Sequence, residues 1–514
     1  MFSSVCSGTV YGLQSYLVQV EVDVSAGLPC LVMVGSINSE VRESGERVRI
    51  ALKNMGISLP PMHISVNFSP ADIRKSGTGF DLPIALGLLQ TMGKVPKNAM
   101  EKTIVIGELG LNGEVKCVKG ILPLVWQAYQ QGWQSVMVPL ENYAEAAIVN
   151  GMTVAGVRSL EEAISFLQSE EPRKQEKLQR MKEVGKSYQQ KELPQKEVPD
   201  FSDIYGQESI KRGALIAAAG FHHMLIIGPP GAGKTMIARR MPGILPELSF
   251  EESMEVTCIY SIAGKLSKEA PFLKERPFLS PHHTVTAQAL SGGGRIPQPG
   301  MVSLAHRGIL FLDELPEFRR QTIDLLRQPL EEKQIHIARS TGTFTYPSCF
   351  MLVGAMNPCP CGYYPDRNRC TCTAYERHVY LSHLSGPLLD RIDLCVEAGK
   401  VEIAKLQSGE KGLSSEEMKE MVLQARARQE KRYDGTGIRF NAELTQNAFE
   451  KFCKLGKEEK DFAAQIYERL ELSARSYYRL LKVARTIADL EDSERIATEH
   501  LAEAVCYRAG EMLG

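Results

Sequence analysis

At 514 residues the chain is long enough for roughly two to four domains, each burying its own core. Hydrophobic residues make up 43% and charged residues 24%, which argues against both a disordered and a membrane-embedded chain and leaves an ordinary globular one. With 60 basic against 61 acidic residues the net charge is -1, so no global field recruits nucleic acid and any such binding must come from local patches.

The opening stretch MFSSVCSGTVYG carries neither the basic segment nor the apolar core of a secretory leader. No apolar run approaches the ~20 residues that span a bilayer. The expectation is a cytoplasmic protein without a membrane partner, whose 12 cysteines are mostly buried thiols of a reducing compartment.

Residues 1–168 read as a compact α/β domain. Tyr16, Val18, Val20, Val22 and Val24 alternate with Gln19, Glu21 and Asp23, the period of a half-buried strand, and Ile64, Val66 and Phe68 repeat it. Val41, Val48, Leu52 and Met55 sit at helical spacing, and Gly56 follows as a C-terminal cap. Further strands are expected at 103–107, 135–139 and 153–157, and helices at 81–92, 121–131 and 141–149. Residues 169–199 are dense in Glu, Lys and Gln and nearly free of large aliphatics, so they read as a charged, solvated linker with room for transient helix.

The stretch from 200 to 400 carries the chemistry. Met224-Leu225-Ile226-Ile227 reads as a buried strand, broken by Gly228-Pro229-Pro230-Gly231-Ala232-Gly233, and Lys234-Thr235 open a helix. This is a phosphate-binding loop in its strand–loop–helix context. The loop N–H groups form an anion nest, Lys234 would reach the β- and γ-phosphates of ATP, and Thr235 would ligate Mg²⁺. Ile309-Leu310-Phe311-Leu312 is a second buried strand ending in Asp313-Glu314: Asp313 would position Mg²⁺ and Glu314 would polarise the attacking water. Asn357 follows a third strand at 350–353, where its amide can face the γ-phosphate, although Asn-Pro is also a common turn.

Cys359-Pro-Cys361 and Cys370-Thr-Cys372 place four thiols within fourteen residues. They fit a tetrahedral Zn²⁺ site, a redox-sensitive cluster, or unpaired surface thiols. In LLDRID, Arg391 either reaches a neighbouring subunit's γ-phosphate or pairs locally with Asp390 or Asp393. Residues 401–514 are mostly helical in pattern, most strongly from Tyr477 to Leu490.

Together GPPGAGKT, ILFLDE, Asn357, LLDRID and SARSYYRLLKVARTIADL resemble the nucleotide motifs of AAA+ ATPases. More narrowly, RPFLSPHHTVTAQALSGGGRIPQPGMVSLAHRGILFLDELPEF (276–318) resembles the magnesium-chelatase-like branch and, within it, the ComM/YifB family; the likeness covers essentially the whole chain. The resemblance implies an AAA+ core with a parallel sheet over 200–400, a helical lid over 401–514, and a homo-oligomeric ring, a hexamer. It further implies that Arg391 is the arginine finger acting in trans and Arg475 the second sensor on the lid. A hairpin set into a helix is implied within 278–305, with Gly292-Gly293-Gly294-Arg295 as its flexible part; glycine backbone beside Arg295 suits DNA phosphate contact, the plain alternative being a surface loop.

KSGTGFDLPIALGLL (75–89) and GELGLNGEVKCVKGILPLVWQA (107–128) are similar to the Lon-protease-like fold. The serine of a Lon peptidase falls at Gly77 and its lysine at Leu122, with Ser76 and Lys119 out of register, so the resemblance implies a non-proteolytic binding or assembly module. The combined expectation is an α/β multidomain ATPase that moves on single-stranded or branched DNA, a branch-migration helicase in recombination or DNA uptake. Its rival is a chelatase-type or protein-assembly ATPase that does not touch DNA.

Overall fold

The computed structural model describes residues 1–189, 199–267, 270–294, 297–339, 342–366, 368–399 and 412–508. It divides into two compact units, Met1–Gln195 with Phe250–Leu273, and Lys196–Ser249 with Lys274–Gly514. Phe250–Leu273 thus lies, in sequence, inside the 200–400 stretch but packs with the first unit.

The first unit is built on a seven-stranded sheet: β1 (Phe2–Tyr11), β2 (Gln14–Ser25), β3 (Cys30–Val34), β4 (His63–Ser69), β5 (Thr103–Val105), β6 (Ser135–Pro139) and β7 (Thr153–Val157), in the order β3-β4-β2-β1-β5-β6-β7. The β1–β2 and β2–β4 pairs are antiparallel and the rest parallel. Alternation in β2 is realised with Val18, Val20, Val22 and Val24 inward. Strand β1 has no legible period because it is central: Val5 to Thr9 are buried without a break, as expected for a strand covered on both faces.

The helix Asp81–Thr91 is buried along its whole length. It approaches the sheet closely at Gly87, where a Cβ would stand 2.8 Å from Val22 Cγ2. The expected helix at 141–149 is shorter, a 3₁₀ turn over Leu140–Asn142 running into Tyr143–Ala146. From the inserted helix Phe250–Ala263, Ser261 donates to Glu145, which also accepts from the Leu122 N–H and the Asn142 amide.

In place of a solvated tether, Glu171–Gln189 is a helix whose Leu178 and Met181, three apart, pack on the first unit's core; residues 190–198 of the expected linker lie outside the described residues. No peptidase dyad forms at the aligned positions. Gly77 has no side chain and Leu122 is fully buried, the Ser76 hydroxyl faces the Val10 carbonyl, and the Lys119 chain lies against Gly264.

The second unit carries a five-stranded parallel sheet: β8 (Met224–Ile227), β9 (Phe278–Leu279), β10 (Ile309–Leu312), β11 (Met351–Met356) and β12 (Leu394–Glu397), in the order β9-β10-β11-β8-β12. β8, β10 and β11 are buried at every residue, which is why they read as continuous apolar runs. Between β9 and β10, the helix Ala287–Ser291 gives way to a hairpin pairing Gly292–Gly293 with Gln298–Pro299, and then to the helix Met301–Leu304. Arg295 lies outside the described residues.

A second hairpin, Gln334–Arg339 with Gly342–Pro347, goes beyond the sequence reading. Its Arg339 Nε donates to the Gly294 carbonyl at 3.4 Å. The C-terminal part is helical, with Ser415–Tyr433, Ala474–Leu490 and Thr498–Cys506 among its elements. Among the described residues no helix is long and apolar enough to cross a membrane.

Candidate nucleotide site and its neighbours

Sheet register assembles the site. In the parallel pairs Ile227 stands opposite Met356, and Leu312 opposite Gly354. The three loops that follow β8, β10 and β11 therefore leave the same edge of the sheet, where open α/β sheets bind ligands. After β8 the chain turns through Gly231 (φ +78°) and Gly233 (φ +83°), a left-handed conformation that favours glycine. The helix Lys234–Ile244 then begins at the loop, presenting unpaired N–H groups and the positive end of its dipole.

Lys234 is 9% exposed, and its Nζ donates to the Gly228 carbonyl (2.7 Å), the Pro229 carbonyl (2.9 Å) and Asn357 Oδ1 (3.0 Å). Burial pushes its pKa down, while the charges of Asp313 and Glu314 pull it back up. Thr235 Oγ1 donates to Asp313 Oδ2 at 2.7 Å. Glu314 adopts left-handed backbone (φ +51°, ψ +47°), a strained conformation for a side-chain-bearing residue of the kind that clusters at functional sites. Its carboxylate is exposed, with Oε2 at 3.5 Å from His283 Nδ1. Lys234, Thr235, Asp313 and Asn357 are thus joined by direct bonds, with Glu314 alongside.

Arg391 and Arg475 are brought together elsewhere. Both bind Oε1 of Glu331, at 2.5 Å and 2.7 Å. Neither local ion pair considered for Arg391 forms: Asp390 faces Arg479 at 3.8 Å, and Asp393 faces His222 at 3.4 Å. Both arginines line a cleft of about 380 Å³ that also holds Arg479 and Lys482. Arg391 Nε is buried there without a hydrogen-bond partner. Among the described residues, neither Arg391 nor Arg475 bonds to residues 228–235.

The four cysteines converge. Their sulfurs all lie within 4.8 Å of one another, on the loop that leaves β11 immediately after Asn357.

Comparison with known proteins accords with this arrangement. The family described as Magnesium chelatase, subunit ChlI, matches residues 200–406; Subunit ChlI of Mg-chelatase matches 20–142; and the ChlI C-terminal family matches 412–508. The uncharacterised YifB protein of Escherichia coli is 42% identical over 503 residues, covering 97% of this chain and 95% of that protein. The competence protein ComM of Haemophilus influenzae is 40% identical over 502 residues, covering 97% and 96%. The chain belongs to the magnesium-chelatase-like YifB/ComM family.

Lon protease 2 of Bacillus subtilis is 28% identical over 192 residues, covering 33% of this chain and 34% of that protein. Membership of the YifB/ComM family gives the second unit its AAA+ character and suggests ATPase chemistry with ATP and Mg²⁺. Two residues of the site were not singled out by sequence reasoning. His283, in the SPHHT string just ahead of the glycine hairpin, faces Glu314. Glu331, in the helix Arg327–Glu332, holds both arginines, and in sequence it is one acidic residue among many.

Proposed function

We propose that this chain is an ATP-hydrolysing ring motor, a hexamer, that acts on single-stranded or branched DNA as a branch-migration helicase. The observation that supports the ATPase most strongly is the register-imposed cluster of Lys234, Thr235, Asp313 and Asn357 at one sheet edge. The backbone of Gly228, Pro229, Pro230, Gly231, Ala232 and Gly233 cradles the phosphates, and Lys234 exchanges its loop carbonyls for phosphate oxygens. A hydroxyl and a carboxylate oxygen 2.7 Å apart suit Mg²⁺, so Thr235 and Asp313 would hold it. Bound there, Mg²⁺ would neutralise phosphate charge.

Glu314 orients and polarises the water, His283 holds Glu314, and Asn357 keeps the water against the γ-phosphate. Arg391 and Arg475, gathered by Glu331 away from their own loop, face the nucleotide of a neighbouring subunit.

The DNA role draws on the relative named for competence and on the glycine hairpin. Arg295, next to Gly294 in sequence, contacts phosphate, and Arg339 on the adjoining hairpin seconds it. The test is the salt dependence of DNA binding. Phosphate contacts release counterions, so affinity falls steeply with salt and depends little on sequence. Arg295→Ala should weaken binding and flatten that slope while leaving ATP turnover without DNA near wild type. An unchanged slope would remove Arg295 from the DNA path.

A further inference from the structure

We propose that Cys359, Cys361, Cys370 and Cys372 hold one tetrahedral Zn²⁺, and that this centre braces the phosphate-binding loop so that metal occupancy and nucleotide affinity are coupled. The coupling, though not the metal site, rests on the nucleotide reading above.

The metal argument is geometric. Four thiolates at about 2.3 Å from a zinc ion lie about 3.8 Å apart along the edges of the tetrahedron. Here Cys359 Sγ is 3.4 Å from Cys361 Sγ and 3.8 Å from Cys370 Sγ, and Cys361 Sγ is 3.6 Å from Cys370 Sγ. The fourth sulfur, of Cys372, closes the group and accepts the Cys361 N–H at 3.4 Å. The Tyr364 N–H likewise donates to Cys359 Sγ at 3.4 Å. Backbone donors aimed at sulfur favour the thiolate form that a soft-ligand metal requires. All four cysteines are free, at separations far beyond the about 2.05 Å of a disulfide. Between the pairs runs GYYPDRNR, a string with no aliphatic residue to build a core. A metal would supply the folding energy that such a loop lacks, each cysteine giving up its thiol proton to solvent on binding.

The loop meets the phosphate-binding loop at two points. Asn357, two residues ahead of Cys359, accepts from Lys234 Nζ at 3.0 Å. Gly362, one residue past Cys361, sits at φ +86°, and a Cβ there would lie 2.5 Å from Pro230 Cδ and 2.8 Å from its Cγ. The cysteine loop's backbone therefore rests directly on Pro230. Fixing the four sulfurs fixes Gly362 against Pro230 and Asn357 against Lys234.

The test begins with metal analysis of the full chain, purified under reductant without chelator. One zinc per chain is expected, replaceable by cobalt(II) with the absorption of a tetrahedral thiolate complex, and absent from a Cys359→Ser/Cys372→Ser variant. Stripping the metal should weaken binding of a fluorescent ATP analogue about tenfold, and by linkage the bound analogue should slow zinc transfer to a chromogenic chelator. Gly362→Val separates the two halves: it should keep the zinc yet lose nucleotide affinity by a similar factor. No zinc after purification and anaerobic reconstitution would overturn the site. Zinc in the wild type, together with unchanged nucleotide affinity in both the stripped and the Gly362→Val proteins, would overturn the bracing. A zinc-loaded wild type that binds no nucleotide would instead strike the nucleotide reading and leave the metal site standing.

Discussion

Lys234 donates to two carbonyls of its own loop and to Asn357, so its charge is already held where phosphate oxygens would replace those acceptors. Lys234→Ala removes the charge and leaves the nest, and ATP affinity should fall about a hundredfold or more in equilibrium titration. Glu314→Gln would leave the proposed phosphate contacts in place and remove the carboxylate proposed to polarise water. Binding should stay within a few-fold of wild type while phosphate release drops by about 10²–10⁴. Wild-type turnover by Glu314→Gln would reassign that role. Asp313, Glu314 and Asn357 were legible because each stands where an apolar run ends, and Lys234 and Thr235 because they follow the glycine-rich loop that breaks such a run. His283 and Glu331 were not, because tertiary folding alone brings them to Glu314 and to the arginines.

At the scale of elements, period decided what could be read. Strands β2 and β4 show one face to the core and alternate; β6 and β7 are short apolar runs between turn residues. Strand β1, covered on both faces and rich in Ser, Gly and Thr, offers neither signal. The charged segment 169–199 hid a helix because two aliphatics sufficed to dock it. The lid helix Ala474–Leu490 was visible from its stripe of Leu480, Leu481, Val483, Ala484 and Ile487, but its polar anchor was not. Asp489, fully buried, takes Arg432, Arg485 Nη2 (3.0 Å) and the Asn441 amide (2.8 Å). Removing it leaves Arg485, 1% exposed, without its counter-charge. Asp489→Ala should therefore destabilise the C-terminal helices by about 3–5 kcal/mol in chemical denaturation. A loss below about 1 kcal/mol would mean that water or the nearby carbonyls replace the carboxylate.

For the whole molecule the decisive feature is that Arg391 and Arg475 meet on Glu331 and not on their own phosphate-binding loop. In the proposed ring each subunit would offer its arginines to the next, the head-to-tail contact of a closed cyclic oligomer. Arg391→Ala and Lys234→Ala proteins should each be inactive alone. Mixed in equal amounts, they should regain about a quarter of wild-type turnover, because one interface in four pairs an intact loop with an intact arginine. A mixture that stays inactive would put Arg391 in cis. A chain of net charge -1 offers DNA no overall attraction, so DNA would have to engage such a ring through local basic groups. The most direct measurement is ATP turnover at low salt, with and without single-stranded, duplex and branched DNA. Stimulation by single-stranded or branched DNA is expected, fading as salt rises and lost in Arg295→Ala. Turnover indifferent to all three would contradict it and leave an ATPase that switches protein assemblies instead.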